Sequence, residues 1–364
     1  MHLNHFIKAG IAIVAFAASV GAQAASHGVT VTLSTDKHML GKDDDVVMRV
    51  TITNTSSTPQ YVLKWHTPFD TEIEEGLFDV TRDGVKVPYQ GAHYKRPAPT
   101  AADYYMLKPG ASHTARVELS SMYDMSITGD YVVSYHARSY NLFTSDPGPQ
   151  GIVSTEKELG EIASAPVSLW IDGRQARGTV ATQPQTFAEL TAATSGSLSF
   201  NKCTATQQST IAQAVGAAQT MVADGDAYMT AGQMGTRYTK WFGAVDAARV
   251  ATIKAHYTAI KDALNNKPVT VDCGCKKTYY AYVYPTQPYT IYVCKAFWTA
   301  PLTGTDSKGG TLIHETSHFN VVASTDDWVY GQTGAASLAI SNPSQAIDNA
   351  DSHEYFGENT PALQ

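Results

Sequence analysis

The chain has 364 residues, of which 43% are hydrophobic and 16% charged, and its formal net charge at pH 7 is −7. This composition is typical of a globular protein that is long enough to form two domains. The sequence contains no convincing internal repeat, no glycine-rich phosphate-binding loop and no basic patch suited to nucleic acid. We expect a protein that acts as a monomer and does not bind nucleic acid.

The first 24 residues have the features of an export signal. Lys8 precedes an apolar run over residues 9–20, and Ala22-Gln23-Ala24 matches the small-residue pattern of a cleavage site. The run is short for a membrane span, and no other segment approaches that length. We predict a signal peptide at residues 1–24 and a secreted protein that leaves the membrane once the signal is removed. A buried N-terminal helix is the alternative.

A β-rich region follows. Apolar and polar residues alternate with a period of two in seven short segments that turn residues separate. The segments are residues 29–34, 46–54, 61–66, 77–89 with a turn at Asp83-Gly84, 113–119, 131–138 and 167–171. We predict an all-β domain over residues 25–176, with an immunoglobulin-like sandwich as its fold.

The pattern changes after a polar stretch at residues 177–198, which is typical of a linker and a processing region. Helical periodicity marks residues 207–229 and 238–264, and strand signals mark residues 269–272, 279–284 and 290–294. Two further helices are predicted, one over the motif described below and one from about residue 334. We therefore predict an α+β domain over residues 199–364.

All four cysteines lie in the second half of the chain. Cys273 and Cys275 are too close in sequence to bridge each other without strain, and an exported chain meets an oxidising environment. Each should therefore pair with Cys203 or Cys294, and both connectivities remain open at this point. A Cys-x-Cys metal site is the alternative.

The most informative motif is His314-Glu315-Thr316-Ser317-His318. On a helix, an H-E-x-x-H motif sets two imidazoles one turn apart, where they can chelate one zinc ion, and places a carboxylate beside the metal-bound water. The flanking residues favour a helix and contain no proline. The alternative is a chance pentapeptide on a surface helix.

Catalytic zinc takes three protein ligands and keeps one open position, so a third ligand is needed. The polar turn that follows the motif reads Ser324-Thr325-Asp326-Asp327-Trp328-Val329-Tyr330-Gly331. It resembles the aspzincin signature, in which H-E-x-x-H is followed by G-T-x-D-x-x-Y-G. The resemblance implies an α+β zincin-type peptidase with one zinc per chain, Asp327 as third ligand, Glu315 as general base and Tyr330 as oxyanion stabiliser. Ser324 departs from the family glycine, and Asp326 is expected to be solvated or to orient a histidine.

The C-terminal segment resembles one subgroup, the peptidyl-Lys metalloendopeptidases, which are relatives of deuterolysin. The matching residues are Gly331-Gln332, the run at 346–356 and Glu358-Asn359. The resemblance implies that Asp351 and Glu354 hold a substrate lysine in the S1′ pocket, so that peptides are cut on its N-terminal side. It also implies the disulfides Cys203–Cys273 and Cys275–Cys294.

The charge distribution supports a site for a cationic side chain. No Lys or Arg occurs in residues 309–364, whereas seven acidic residues do. Such a segment creates a negative field that attracts cations. Two alternatives remain: a broader deuterolysin-like protease in which the acidic pair is structural, and a secreted binding or adhesion protein with an inactive protease domain.

The resemblance to the peptidyl-Lys subgroup implies that the catalytic domain works alone, which suggests a role for the β-rich domain. We expect it to be a propeptide that covers the cleft of a zymogen and acts as an intramolecular inhibitor. The loop-like segment over residues 91–99 can present Lys95 as a plug for a lysine-specific cleft, with Pro97 and Pro99 stiffening the backbone. Lys108 is a second candidate.

Overall fold

The computed structural model describes residues 27–70, 73–144, 159–173, 196–232 and 234–364. The predicted signal peptide at residues 1–24 and nearly all of the predicted linker at 177–198 lie outside these ranges. Among the described residues, no helix combines the length and the apolar character needed to cross a bilayer.

The first half of the described chain is built from short strands. In chain order they are β1 (Val29–Ser34), β2 (Met39–Leu40), β3 (Val47–Asn54), β4 (Gln60–Leu63), β5 (Phe78–Arg82), β6 (Val85–Lys86), β7 (His93–Lys95), β8 (Tyr104–Leu107), β9 (Ser112–Glu118), β10 (Gly129–Ser139), β11 (Phe143–Thr144), β12 (Gly160–Ala163) and β13 (Val167–Ile171). All seven predicted segments contain a strand. In the segment at 61–66 the strand ends at Leu63 and a 3₁₀ turn, Lys64–His66, follows.

Three sheets contain all of these strands except β7. Their orders are β1-β3-β9, β2-β13-β10-β5-β6 with β12 also paired to β10, and β11-β4-β8. The long strands β3 and β10 bury every second residue, so that Val50, Ile52, Tyr131 and Tyr135 enter one common core. The all-β prediction therefore agrees with the structure, whereas the immunoglobulin-like assignment stays a prediction.

The second half combines a sheet with helices. Its elements are β14 (Leu198–Asn201), α1 (Ala205–Ala231), α2 (Thr236–Phe242), α3 (Ala247–Asn266), β15 (Val269–Asp272), β16 (Ala281–Val283), β17 (Thr290–Val293), α4 (Lys295–Thr299), α5 (Lys308–His318), α6 (Gly331–Ser341), α7 (Pro343–Ala346) and α8 (Ala350–Glu358). The single helix predicted over residues 238–264 is wrong, because the chain breaks at Gly243, whose φ of 79° ends α2. Asp246 then caps α3 by accepting hydrogen bonds from two backbone amides.

The sheet of the second half is completed by a strand from the first. Its order is β14-β15-β17-β16-β7, and β7 lies antiparallel to β16 with Lys95 opposite Ala281 and His93 opposite Val283. The loop predicted for residues 91–99 is therefore wrong at its centre. The reason is tertiary, since a three-residue strand without its partner has no sequence period long enough to detect.

The structure pairs Cys203 with Cys273 and Cys275 with Cys294. This is the connectivity implied by the resemblance to the peptidyl-Lys subgroup. The first bridge joins the segment between β14 and α1 to the end of β15, and the second joins the loop after β15 to the end of β17. Both bridges therefore strengthen the sheet to which β7 is added.

Candidate active site and metal centre

Helix α5 carries the H-E-x-x-H motif and is buried on all sides, since each of its eleven residues is buried. Ser307 caps its N-terminus by accepting a hydrogen bond from the Gly310 amide at 2.9 Å. His314 and His318 are one turn apart, and their ring centroids are separated by 4.8 Å. The helix thus presents both imidazoles to the same internal space.

The turn after α5 brings Asp327 back to the two histidines. Asp327 Oδ1 lies 3.2 Å from His314 Nε2, and Oδ2 lies 3.5 Å from His318 Nε2. The Thr325 amide donates to the Ser317 carbonyl at 3.2 Å, which folds the turn against the helix. Ser324 takes the left-handed backbone conformation, with φ of 53°, that a glycine would adopt most easily at the position where the family has one.

These atoms form a donor set suited to a cation. The two Nε2 atoms and both Asp327 oxygens are buried and have no hydrogen-bond partner. His318 Nδ1 lies 2.8 Å from the Thr325 carbonyl, an arrangement that puts the proton on Nδ1 and leaves Nε2 free as a ligand. Burial also lowers the pKa of His318 to about 3, so its imidazole is neutral. Two imidazole nitrogens and a carboxylate match the ligands of catalytic zinc.

Glu315 is fully buried beside this donor set. Burial raises the pKa of Glu315 to about 8, and the nearby Asp327 carboxylate acts in the same direction. One of its oxygens, Oε1, accepts a hydrogen bond from the Lys95 backbone amide at 3.3 Å, whereas Oε2 has no partner. A carboxyl group with a raised pKa is suited to accept and return a proton.

The acidic pair lies on α8, directly behind the metal centre. Asp351 and Glu354 are buried on one face of the helix, as their spacing of three residues predicts. Asp351 Oδ1 lies 2.9 Å from His314 Nδ1, and Asp351 Oδ2 accepts a hydrogen bond from the Gly331 amide at 2.7 Å. Asp351 therefore contacts the outer nitrogen of a predicted ligand, a role that the sequence did not indicate.

Lys95 places its ammonium between these carboxylates. Its Nζ lies 2.6 Å from Glu354 Oε2, 3.4 Å from Asp351 Oδ1 and 3.2 Å from Asp306 Oδ1. Burial acts to lower the pKa of Lys95, but the three carboxylates outweigh it and raise the pKa well above its usual value. The Tyr280 ring adds a cation–π contact at 5.1 Å. Lys108, the second candidate, is exposed.

Tyr330 is held by the segment that follows Lys95. Its hydroxyl accepts a hydrogen bond from Arg96 Nη1 at 2.8 Å and lies within donating distance of the Tyr94 carbonyl, at 3.0 Å, and of Glu75 Oε1, at 3.2 Å. The Arg96 guanidinium is buried, pairs with Glu75 and sits over the Tyr330 ring. The Tyr330 hydroxyl, which is the predicted oxyanion stabiliser, is therefore hydrogen-bonded to Tyr94 and Arg96, the residues on either side of Lys95.

Sequence reasoning missed three residues of the site: Asp306, Arg96 and His93. Asp306 lies just outside the segment without Lys or Arg, which begins at residue 309 because Lys308 interrupts it. Arg96 follows Lys95, but no pattern links it to Tyr330. His93 Nδ1 lies 3.6 Å from Asp326 Oδ1, and its ring centroid is 4.8 Å from that of His318.

A helix with two histidines and a glutamate, joined by an aspartate from the following turn, defines the metal centre of a zinc-dependent hydrolase. Residues 227–358 match the aspzincin family model, described as a lysine-specific metallo-endopeptidase. An extracellular protease of Aeromonas hydrophila is 45% identical over 329 residues, which cover 88% of this chain and 90% of that protein.

Two further comparisons concern fungal proteins. A peptidyl-Lys metalloendopeptidase of Armillaria mellea is 34% identical over 354 residues, which cover 94% of this chain and 95% of that protein. The solved structure of a zinc peptidase from Grifola frondosa is 43% identical, with a TM-score of 0.42, and covers 44% of this chain and 100% of its own. The chain belongs to the aspzincin family and is a zinc-dependent metalloendopeptidase.

Proposed function

We propose that the full-length chain is the inactive precursor of a secreted endopeptidase that cleaves peptides on the N-terminal side of lysine. The observation that carries this proposal is the Lys95 ammonium, which is buried between Asp351, Glu354 and Asp306. A lysine is the natural occupant of such a pocket, because three carboxylates offset the cost of removing its charge from water.

The backbone around Lys95 supports the same position for the scissile bond. The Lys95 amide donates to Glu315, and the Tyr94 carbonyl lies 3.0 Å from the Tyr330 hydroxyl. These two groups belong to one peptide bond, and strand β7 adds to the edge of the sheet as an extended substrate would. A substrate bound in this register is cut before its lysine.

The predicted metal ligands and catalytic residues then have the following chemical roles. His314, His318 and Asp327 would hold one zinc ion per chain, which would supply Lewis-acid chemistry to the scissile carbonyl and to the attacking water. Glu315 takes a proton from that water on its carboxylate and returns it to the leaving lysine amine. The Tyr330 hydroxyl donates a hydrogen bond to the developing oxyanion.

The segment that occupies the active site explains why the unprocessed chain would be inactive. Residues 93–96 fill the lysine pocket, contact the general base and bind the Tyr330 hydroxyl, so a substrate cannot enter until they leave. Residues 25–176 therefore act as a propeptide, and residues 177–198 contain the processing region. Secretion is supported by the predicted signal peptide and by the name of the Aeromonas hydrophila relative.

Cleavage-site profiling tests this function. The secreted, processed protein is incubated with a denatured protein substrate, and the new N-termini are identified by mass spectrometry. We expect most of them to be lysine, and we expect none with Glu315→Gln. Scattered N-terminal residues would favour the broader deuterolysin-like specificity and contradict the lysine pocket.

A further inference from the structure

A peptide bond held in substrate register beside zinc and a general base should be hydrolysed, yet a precursor must persist. Something must therefore keep the attacking water away from the Tyr94–Lys95 bond. Strand β7, which also carries Lys95, includes His93, to which the function proposed above assigns no role.

His93 lies at the metal centre. One of its ring nitrogens, one Asp327 oxygen and one His318 nitrogen lie within 4.8 Å of one another. The His93 side chain is only 15% exposed, and its ring is inclined by 43° to that of His318. The His318 Nε2 atom and both Asp327 oxygens, which His93 approaches, are buried without a hydrogen-bond partner among the described residues, and a cation would satisfy them.

We propose that His93 is a fourth ligand of the zinc ion in the full-length chain. A catalytic zinc site keeps one position open for water, whereas a site with four protein ligands is closed. An imidazole in that position displaces the nucleophile and leaves the rest of the substrate-like segment intact. This inference rests on the proposed function, because it explains why that segment is retained.

Asp326 completes the arrangement. Its Oδ1 lies 3.6 Å from His93 Nδ1, so the imidazole has a carboxylate neighbour, as zinc-bound histidines commonly do. The Asp326 backbone is anchored to the catalytic half, since its amide donates to the Asp348 carbonyl at 2.7 Å. The catalytic half thus orients a ligand that the β-rich half supplies.

Strand geometry couples His93 to Lys95. Residues two apart in a strand point to the same face, so β7 directs both side chains towards the site. Tyr94 points away and packs against Tyr279 and Tyr282, with ring centroids 5.4 and 5.2 Å apart. Strand β7 therefore fills the lysine pocket with Lys95 and closes the metal site with His93. When the strand leaves, both sites open at once.

Metal coordination in the full-length chain tests the proposal. Wild type, His93→Ala and His93→Gln are loaded with Co²⁺, and their visible absorption spectra are compared; the same proteins loaded with Zn²⁺ are challenged with a chelator. His113→Ala is the matched control, because His113 is an exposed histidine of the same half. Circular dichroism establishes that each variant is folded.

We expect both His93 variants to change the Co²⁺ spectrum and to release zinc at least about tenfold faster than wild type and the control. Spectra and release rates equal to those of wild type would overturn the proposal. That result would not contradict the proposed lysine specificity, because that specificity is tested by cleavage-site profiling of the processed protein, which does not involve His93.

Discussion

The Glu315 carboxylate accepts a hydrogen bond from the Lys95 backbone amide at 3.3 Å, although 220 positions separate the two residues in the sequence. The amide belongs to the peptide bond that a lysine-specific enzyme would cut, and the carboxylate is the residue that would transfer its proton. In the precursor that we propose, the chain therefore lies where a substrate would lie.

The ligand assignment predicts different effects for neighbouring residues. His314→Ala and His318→Ala should lose bound zinc, because each removes one of three ligands. Glu315→Gln should keep one zinc per chain and lose at least about a hundredfold in rate, because only proton transfer is removed. Metal analysis and peptide assays of the processed proteins measure both. If Asp327→Ala retained full zinc and full rate, the assignment would be wrong, and Asp326 would be the next residue to test.

Substitutions of Asp351 and of Glu354 should have different effects. Glu354→Gln should lower the preference for lysine at P1′ and leave zinc bound, since its oxygen pairs with the Lys95 ammonium at 2.6 Å. Asp351→Asn should lower that preference and also weaken zinc binding by about tenfold or more, because Asp351 contacts His314 Nδ1 at 2.9 Å. Competition between lysine and leucine peptides, with zinc titration, measures the two effects. An unchanged lysine preference in both variants would refute the pocket.

Inhibition by the β-rich half should depend on Lys95. Replacing it by Ala leaves buried carboxylates unpaired and should weaken the inhibition of the processed protease by about 2 kcal/mol or more. Titration of the separated β-rich domain into the protease measures the inhibition constant. Lys108→Ala is the control, since that lysine is exposed. Equal inhibition by Lys95→Ala and wild type would remove the plug but not the propeptide.

His93→Ala should also make the precursor cut itself. Once the imidazole is gone, water can add its hydroxyl to the Tyr94 carbonyl carbon and a proton to the Lys95 nitrogen. Mass spectrometry should find a fragment that begins with Lys95, and the double variant with Glu315→Gln should not produce it. An intact Tyr94–Lys95 bond in the single variant would mean that another feature protects it.

The close approach of α5 and α8 predicts that a side chain at Gly310 destabilises the folded protein. A Cβ at Gly310 would lie 2.1 Å from Glu358 Oε1, an atom that accepts hydrogen bonds from the Ser307 cap. Gly310→Ala should therefore lower the free energy of unfolding by about 1–3 kcal/mol. Gly216→Ala, in an open position on α1, should raise it by about 0.5–1 kcal/mol. Chemical denaturation compares the two, and a neutral Gly310→Ala would show that the cap can shift without cost.

The features that the sequence predicts correctly depend on residues that are close together in the chain. Two histidines four positions apart on one helix must share a face, so His314 and His318 could be paired without knowledge of the fold. The aspartate and tyrosine of the next turn lie within twelve residues of His318, and the family pattern identified them. Long alternating strands such as β10 were also found, because a period of two persists over eleven residues.

Only the tertiary structure decided how the first half meets the second. Strand β7 has three residues and exists because β16 supplies its hydrogen-bond partners, so its local sequence reads as a loop. The contacts of His93 with the metal centre, of Arg96 with Tyr330 and of Asp306 with Lys95 each join residues more than 200 positions apart. No period or spacing encodes such contacts, because they arise only when two separately patterned halves pack together.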